Sequence, residues 1–131
     1  MSGPLAFRFD HVHFYCSDVA ATERWFVEGL GAEVIELYEA GGSTTHYLRL
    51  GDTVLAMRQR RAGESMAEPG RPQLGADHFG LLVDDLDATA AELKRRGVKF
   101  TRDPQPFRPG VRIAFILGPD NVSIELMERK G

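Results

Sequence analysis

The sequence predicts an α+β fold made of two βαβββ modules within one domain. Three observations carry this. A segment near the start recurs further along the chain, the hydrophobic period changes in the same order in both copies, and a length of 131 residues suits one hydrophobic core. The first copy, DHVHFYCSDVAAT at 10–22, returns as DHFGLLVDDLDAT at 77–89. His11 maps to His78, Asp18 to Asp85 and Thr22 to Thr89, each 67 residues on, and YLRLG at 47–51 answers AFILG at 114–118 at the same spacing. After that glycine the second copy carries two extra residues, so TVLAMRQR at 53–60 aligns with VSIELMER at 122–129 and Ala56 falls opposite Glu125.

Each module opens on a strand, because Phe9 to Cys16 and Asp77 to Val83 are short runs rich in β-branched and aromatic residues. A helix follows. In the second module Asp85 and Asp87 stand in its first turn, Lys94, Arg95 and Arg96 in its last, and Gly97 just beyond, the charge order that a helix dipole favours. In the first module Asp18 is the cap, Val19, Thr22 and Phe26 share one stripe, and Gly29 and Gly31 lie near the end. Three further extended runs complete each unit, at 32–38, 44–50 and 53–59 and then at 98–101, 111–117 and 122–128. Module one thus occupies about 8–60 and module two about 76–129 of a single domain spanning 1–131. Between them 61–75 has Gly, Pro and polar residues without periodicity, as a linker or lid would.

Composition limits the function. Hydrophobic residues at 43% and charged residues at 27% are the balance of an ordinary globular protein. No run approaches the roughly twenty apolar residues of a membrane span, and MSGPLAFRFD lacks the basic-then-apolar order of a secretory signal, so a cytoplasmic location without membrane partners is expected. With a net charge of -3, and no aromatics interleaved with Arg58, Arg60 and Arg61, nucleic acid is not an expected partner. The single cysteine, Cys16, excludes an internal disulfide and a cysteine-based zinc motif, so any metal must use His and carboxylate ligands.

Alternation along the strands separates a helix-covered face from an open, concave one. Val12, Phe14 and Cys16, and Phe79, Leu81 and Val83, form the packed sets, which turns His11, His13 and His78 to the concave side. Val122, Ile124 and Leu126 likewise leave Glu125 on that side, together with Tyr47, Arg49, Arg58 and Arg112. Arginines there need an anionic partner, from the protein or from a substrate. Cys16 is expected to be a small buried hydrophobe rather than a nucleophile, and His46 falls on the packed side or near a strand end.

These residues resemble the vicinal-oxygen-chelate superfamily. The resemblance rests on DHV-x-F-x-x-x-D in the first strand, Trp25-Phe26 followed by LGA, DHFGLLVDDLDA in the second module and the closing GPDNVSIELME, and runs from about Phe9 to Glu128. It implies an eight-stranded incomplete barrel around a U-shaped cleft, commonly in a homodimer. Metal-bearing members take ligands from the first and last strands of each module, positions occupied here by His11, Ala56, His78 and Glu125. Ala56 departs from glyoxalase I, which has a carboxylate there that both ligates and moves protons. The remaining His11, His78 and Glu125 form a triad suited to one divalent ion, Fe, Mn, Co, Ni or Zn.

The resemblance then implies a glyoxalase-like lyase or isomerase acting on a small α-hydroxy- or α-keto-carbonyl substrate, with Tyr47, Arg49, Arg58 and Arg112 as substrate contacts. The base is Glu125, a metal-bound hydroxide or His13. An extradiol dioxygenase using Fe(II) and an antibiotic-binding or antibiotic-modifying protein are the alternatives.

Overall fold

The computed structural model describes residues 5–66 and 74–130. Module one comprises β1 (His11–Cys16), α1 (Val19–Arg24) continued by a π-helical turn (Trp25–Gly29), β2 (Glu33–Ala40), β3 (Ser43–Leu50) and β4 (Thr53–Gln59). Module two repeats the order with β5 (Phe79–Leu82), α2 (Leu86–Arg95), β6 (Lys99–Arg108), β7 (Val111–Leu117) and β8 (Ser123–Arg129). α1 starts after its expected cap, Asp18, and Asp85, expected within the first turn of the second helix, caps α2 from just outside it. The carboxylates of Asp18 and Asp85 accept from the backbone N–H of Ala21 (3.1 Å) and Ala88 (3.0 Å), donors the first helical turn cannot satisfy within itself. Gly97 ends α2 at φ +84°, a conformation costly for any side chain with a Cβ.

The strands form two four-stranded sheets, ordered β1-β4-β3-β2 and β5-β8-β7-β6. In each, the first strand of the module lies parallel to the last, and the other neighbours are antiparallel. A parallel pair requires a crossover connection, which the helix and the two intervening strands provide. The eight strands therefore do not close into a single barrel.

Helices and sheets share one core. Phe26, Leu48, Leu55, Met57, Leu86, Ile116, Ile124 and Leu126 are fully buried within it, and Cys16 beside them has its thiol pushed up by burial, as a small hydrophobe rather than a nucleophile. β1 and β5 are the inner edges of their sheets, and Phe14 on the first packs against Phe79 on the second with ring centroids 5.9 Å apart. Trp25 lies against Gly118, where a Cβ would come within 3.5 Å of the indole ring, and Arg96 donates to the Gly29 carbonyl at 3.1 Å. The two residues that interrupt the repeat also serve this junction. They fall in a tight turn, Pro119–Asn121, with Asp120 at φ 55°, and the Asp120 carboxylate accepts from both the backbone N–H and the hydroxyl of Ser17 at the end of β1.

β6 differs from the expected strand at 98–101, since it runs on to Arg108 through Pro104 and Pro106. Proline lacks the N–H that a central strand needs, yet β6 is an edge strand, and its pairing with β7 shifts register at three places. The start of the expected linker folds back onto the domain. Arg58 donates from two guanidinium nitrogens to the two carboxylate oxygens of Glu64, at 3.0 and 2.7 Å, and the Arg61 backbone N–H donates to the same carboxylate at 2.7 Å. The central part of that segment, 67–73, lies outside the described residues, and with it part of the expected lid.

Two outcomes follow. Leu48→Ala removes a fully buried side chain at the centre of the core and should cost about 2–5 kcal/mol, read as a fall in the denaturation midpoint with an unchanged slope. The Arg58 guanidinium holds Glu64 at about 2, below its ordinary 4.5. A carboxylate lowered in the folded state contributes stability that is complete above its unfolded value and lost as pH falls through the folded one. Glu64→Gln should therefore lower the melting temperature at neutral pH, and the gap from wild type should narrow between about pH 4.5 and 2; a gap constant across that range would contradict the assignment.

Candidate functional site

On β1, His11, His13 and Tyr15 face away from the core, while Val12, Phe14 and Cys16 turn toward it, as alternation predicts. On β8, Ile124 and Leu126 are buried in the core and Glu125 faces the other way. Parallel pairing sets Glu125 opposite Gly80 on β5, and its carboxylate reaches past that glycine to His78, with Oε1 3.2 Å from Nε2. A Cβ at position 80 would stand 3.7 Å from that oxygen, in ordinary contact with it. The edge of the Phe115 ring closes on the other side of the imidazole, with centroids 5.0 Å apart at 83°.

Behind His78, Nδ1 lies 2.8 Å from the Asp77 carboxylate. A neutral imidazole has one N–H while two carboxylates face this ring, so one of the two contacts sets a nitrogen lone pair against a carboxylate oxygen. Facing lone pairs repel unless a proton or a metal cation stands between them. Module one repeats the arrangement, with His11 Nδ1 2.7 Å from the Asp10 carboxylate and the ring more exposed. A carboxylate on Nδ1 that fixes the ring and raises the basicity of Nε2 is the usual backing of a metal-ligating histidine.

The expectation that one chain draws His11, His78 and Glu125 onto one cation is not met. Among the described residues no group of three His, Cys, Asp or Glu side chains stands close enough to hold a metal ion. The contacts between modules include Phe14 with Phe79, Trp25 with Gly118, Arg96 with Gly29 and Ser17 with Asp120, which lie on the packed side and at the corners. Alternation specifies which side a residue faces and leaves the distance between two sheets undetermined.

The other expected residues separate by partner. His13 lies opposite Ala56 in the β1–β4 register, and Tyr47 flanks Ala56 from β3. Burial, then the neighbouring Arg58 and His11 charges, hold His13 below the usual histidine range, which keeps it neutral and able to accept. Arg58 is buried, bound to Glu64, and stacked with its guanidinium carbon 3.6 Å from the centre of the Tyr15 ring. Its anionic partner is thus the protein itself. Arg112 corrects the expectation, because it lies on the helix-covered face, with the parity of Ala114 and Ile116, and binds Asp87 of α2 at 2.9 and 3.1 Å. Arg49 remains exposed on the outward face, opposite Val54 in the register.

Arg102 is the residue that sequence reasoning missed. It is exposed on β6, paired with Phe115 in the register, and its guanidinium lies over the ring that contacts His78, 5.6 Å from the centroid. The strand expected to end at 101 hid it, and only the edge position that tolerates Pro104 and Pro106 extends β6 to include it. A cavity of about 260 Å³ opens at the other end of β1, bounded by His13, Tyr15, Ser17, Glu64, Met66 and Asp120.

The family model described as the glyoxalase/bleomycin resistance protein/dioxygenase superfamily matches residues 8–126. A probable lactoylglutathione lyase of the chloroplast from Arabidopsis thaliana is 45% identical over 56 residues, which is 42% of this chain and 16% of that relative's length. The chain therefore spans a small part of that relative. Among solved structures, SMU.1112c superposes with a TM-score of 0.79 at 24% identity, covering 93% of this chain and 98% of that one. Glyoxalase I from Zea mays gives a TM-score of 0.75 at 23% identity, covering 95% of this chain and 45% of that one. Both likenesses concern the fold. The duplicated βαβββ architecture and the match across 8–126 together show that this chain belongs to the glyoxalase/bleomycin resistance protein/dioxygenase superfamily, the vicinal-oxygen-chelate group.

Proposed function

We propose that this protein is a glyoxalase-like lyase or isomerase that acts on a small α-hydroxy- or α-keto-carbonyl compound with the help of one divalent metal ion. The observation that carries this reading is the His78–Glu125 pair, backed by Asp77 and echoed by Asp10 and His11 in the other module. Two imidazole nitrogens and a carboxylate oxygen suit Fe, Mn, Co, Ni or Zn and leave positions for a substrate. One chain assembles only two of the three donors, so the reading includes a homodimer in which His11 of one copy joins His78 and Glu125 of the other. A two-fold pair offers this twice by symmetry, and β2 presents Val34, Ile35, Leu37 and Tyr38 as exposed apolar surface for such association. The probable lactoylglutathione lyases among its relatives support the reaction class.

When bound, the cation would supply Lewis-acid stabilisation of negative charge on two neighbouring substrate oxygens. The chain's residues do the rest. Glu125 is the group placed to take a proton from carbon beside the carbonyl and return it to the adjacent carbon, a role open to a carboxylate whose second oxygen is free of His78. Asp77 and Asp10 hold the histidine rings in orientation. Arg102 and Arg49, neither of which forms an ion pair among the described residues, anchor an anionic portion of the substrate, such as the carboxylate of a thiol adduct.

Metal analysis of chelator-free protein should find metal in the wild type and none in His78→Ala. Glu125→Gln should lower kcat for hemithioacetal substrates by about 10²–10⁴-fold under anaerobic conditions. Mixing His11→Ala with Glu125→Ala, each inactive alone, should restore activity, because each mixed dimer then contains one intact site. Equal metal content in wild type and His78→Ala would defeat the site, failure to complement would defeat its sharing between copies, and an absolute need for oxygen would replace the lyase with a dioxygenase.

A further inference from the structure

The two modules differ most at the position where their repeat should be most alike. In the β5–β8 register Gly80 lies opposite Glu125, and in the equivalent β1–β4 register His13 lies opposite Ala56. His13 is the repeat partner of Gly80, and Ala56 that of Glu125. Module two therefore has an empty position on its first strand and a donor on its last, whereas module one has a donor on its first strand and an empty position on its last. The exchange is reciprocal in volume as well as in chemistry. Glu125 reaches His78 beside Gly80, which has no side chain, and Ala56, only 1% exposed, lies beside the bulky His13 on the neighbouring strand.

We infer that His13 supplies from module one the donor that Ala56 lacks, so that the cation is held by His11 and His13 of one copy and by His78 and Glu125 of the other. This rests on the metal reading given above and adds its fourth protein donor. His11 and His13 stand two residues apart on a strand and share its outward face. Their Cα atoms are thus about 6–7 Å apart, a span that two imidazoles leaning together can close on one ion. Among the described residues the His13 ring has no hydrogen-bond partner, and its ring contact is edge-on with Tyr15 at 5.6 Å, so neither nitrogen is committed elsewhere in this part of the chain. Replacing a carboxylate oxygen with an imidazole nitrogen makes three nitrogens to one oxygen. That set favours Co, Ni and Zn over the oxygen-seeking Mg and Mn.

The test is Co(II) affinity, measured by competition with a chromophoric chelator, together with the visible absorption bands of the Co(II)-loaded dimer. Four proteins are compared: wild type, His13→Gly, the double variant His13→Gly/Ala56→Glu, and His78→Ala, each first shown to melt cooperatively. His13→Gly should weaken Co(II) binding by more than the ~100-fold that loss of an outer partner of a ligand can cost, and should change the bands. Added imidazole should reverse both effects. The double variant, which gives module one the pattern of module two, should regain affinity with the bands of a more oxygen-rich site. If His13→Gly binds within ~100-fold of wild type with unchanged bands while His78→Ala does not bind, His13 is no ligand and the metal reading stands without it. If His78→Ala also binds as wild type does, both fall.

Discussion

Two parallel strand pairings, β1 with β4 and β5 with β8, are the constraint on which the site depends. Each brings the opening strand of a module beside its closing strand, although more than forty residues of chain separate them, as the registers His11 with Val54 and Phe79 with Ile124 show. Parallel pairs form only when a crossover returns the chain in the same direction, and here the helix and two antiparallel strands make that return. Hydrogen bonding between neighbouring strands then sets side chains of distant sequence about 5 Å apart, which is how Glu125 comes within reach of His78. A register slip of one residue would turn His11, His13 and Glu125 into the core and Val12 and Ile124 out to water. The apolar residues that alternate with these three are therefore what keeps them on the outward face.

A second constraint acts between modules. Phe14 against Phe79, Trp25 over Gly118 and the Asp120 turn that grips Ser17 unite two units of a size at which a core buried alone is marginal. These contacts occupy the packed side. The outward faces carry the histidines, the Glu125 carboxylate and Arg102, and they remain accessible to substrate or to a second copy. Duplication thus makes the scaffold symmetric, while the side chains differ between copies. Gly80 and Glu125 in one module, His13 and Ala56 in the other, stand on equivalent backbone with unlike side chains.

Charge on the molecule is largely settled internally. Arg58 and Arg112 were both candidates for holding a substrate anion, and each already has a bidentate carboxylate partner, Glu64 and Asp87. A guanidinium satisfied by two parallel hydrogen bonds gains little from a third partner. Arg102, by contrast, rests over an aromatic face beside His78, where a cation keeps its charge available to an incoming anion. Electrostatic roles therefore follow from partners that only spatial proximity reveals.

The sequence by itself determined the duplicated βαβββ order, the aspartate cap of the first helix, the burial of Cys16 and the faces of His11, His13, His78 and Glu125, because all of these depend on periodicity and on residues a few positions apart. The resemblance to glyoxalase I added that Ala56 stands where that enzyme has a carboxylate. Sequence reasoning misjudged Arg112, since the face of β7 was inferred by alternation and Asp87 lies on a helix 25 residues away, and it ended β6 at 101, since proline is a strand breaker everywhere except at an edge. Tertiary structure alone decided that His78 meets Glu125, that Arg58 is spent on Glu64, that His13 lies opposite Ala56, and that His11 is not gathered with the other two donors in one chain. The reason is physical: strand alternation specifies direction along one local axis, whereas a shared ligand site requires distances between sheets, and those are set by core packing and by whatever covers the open face.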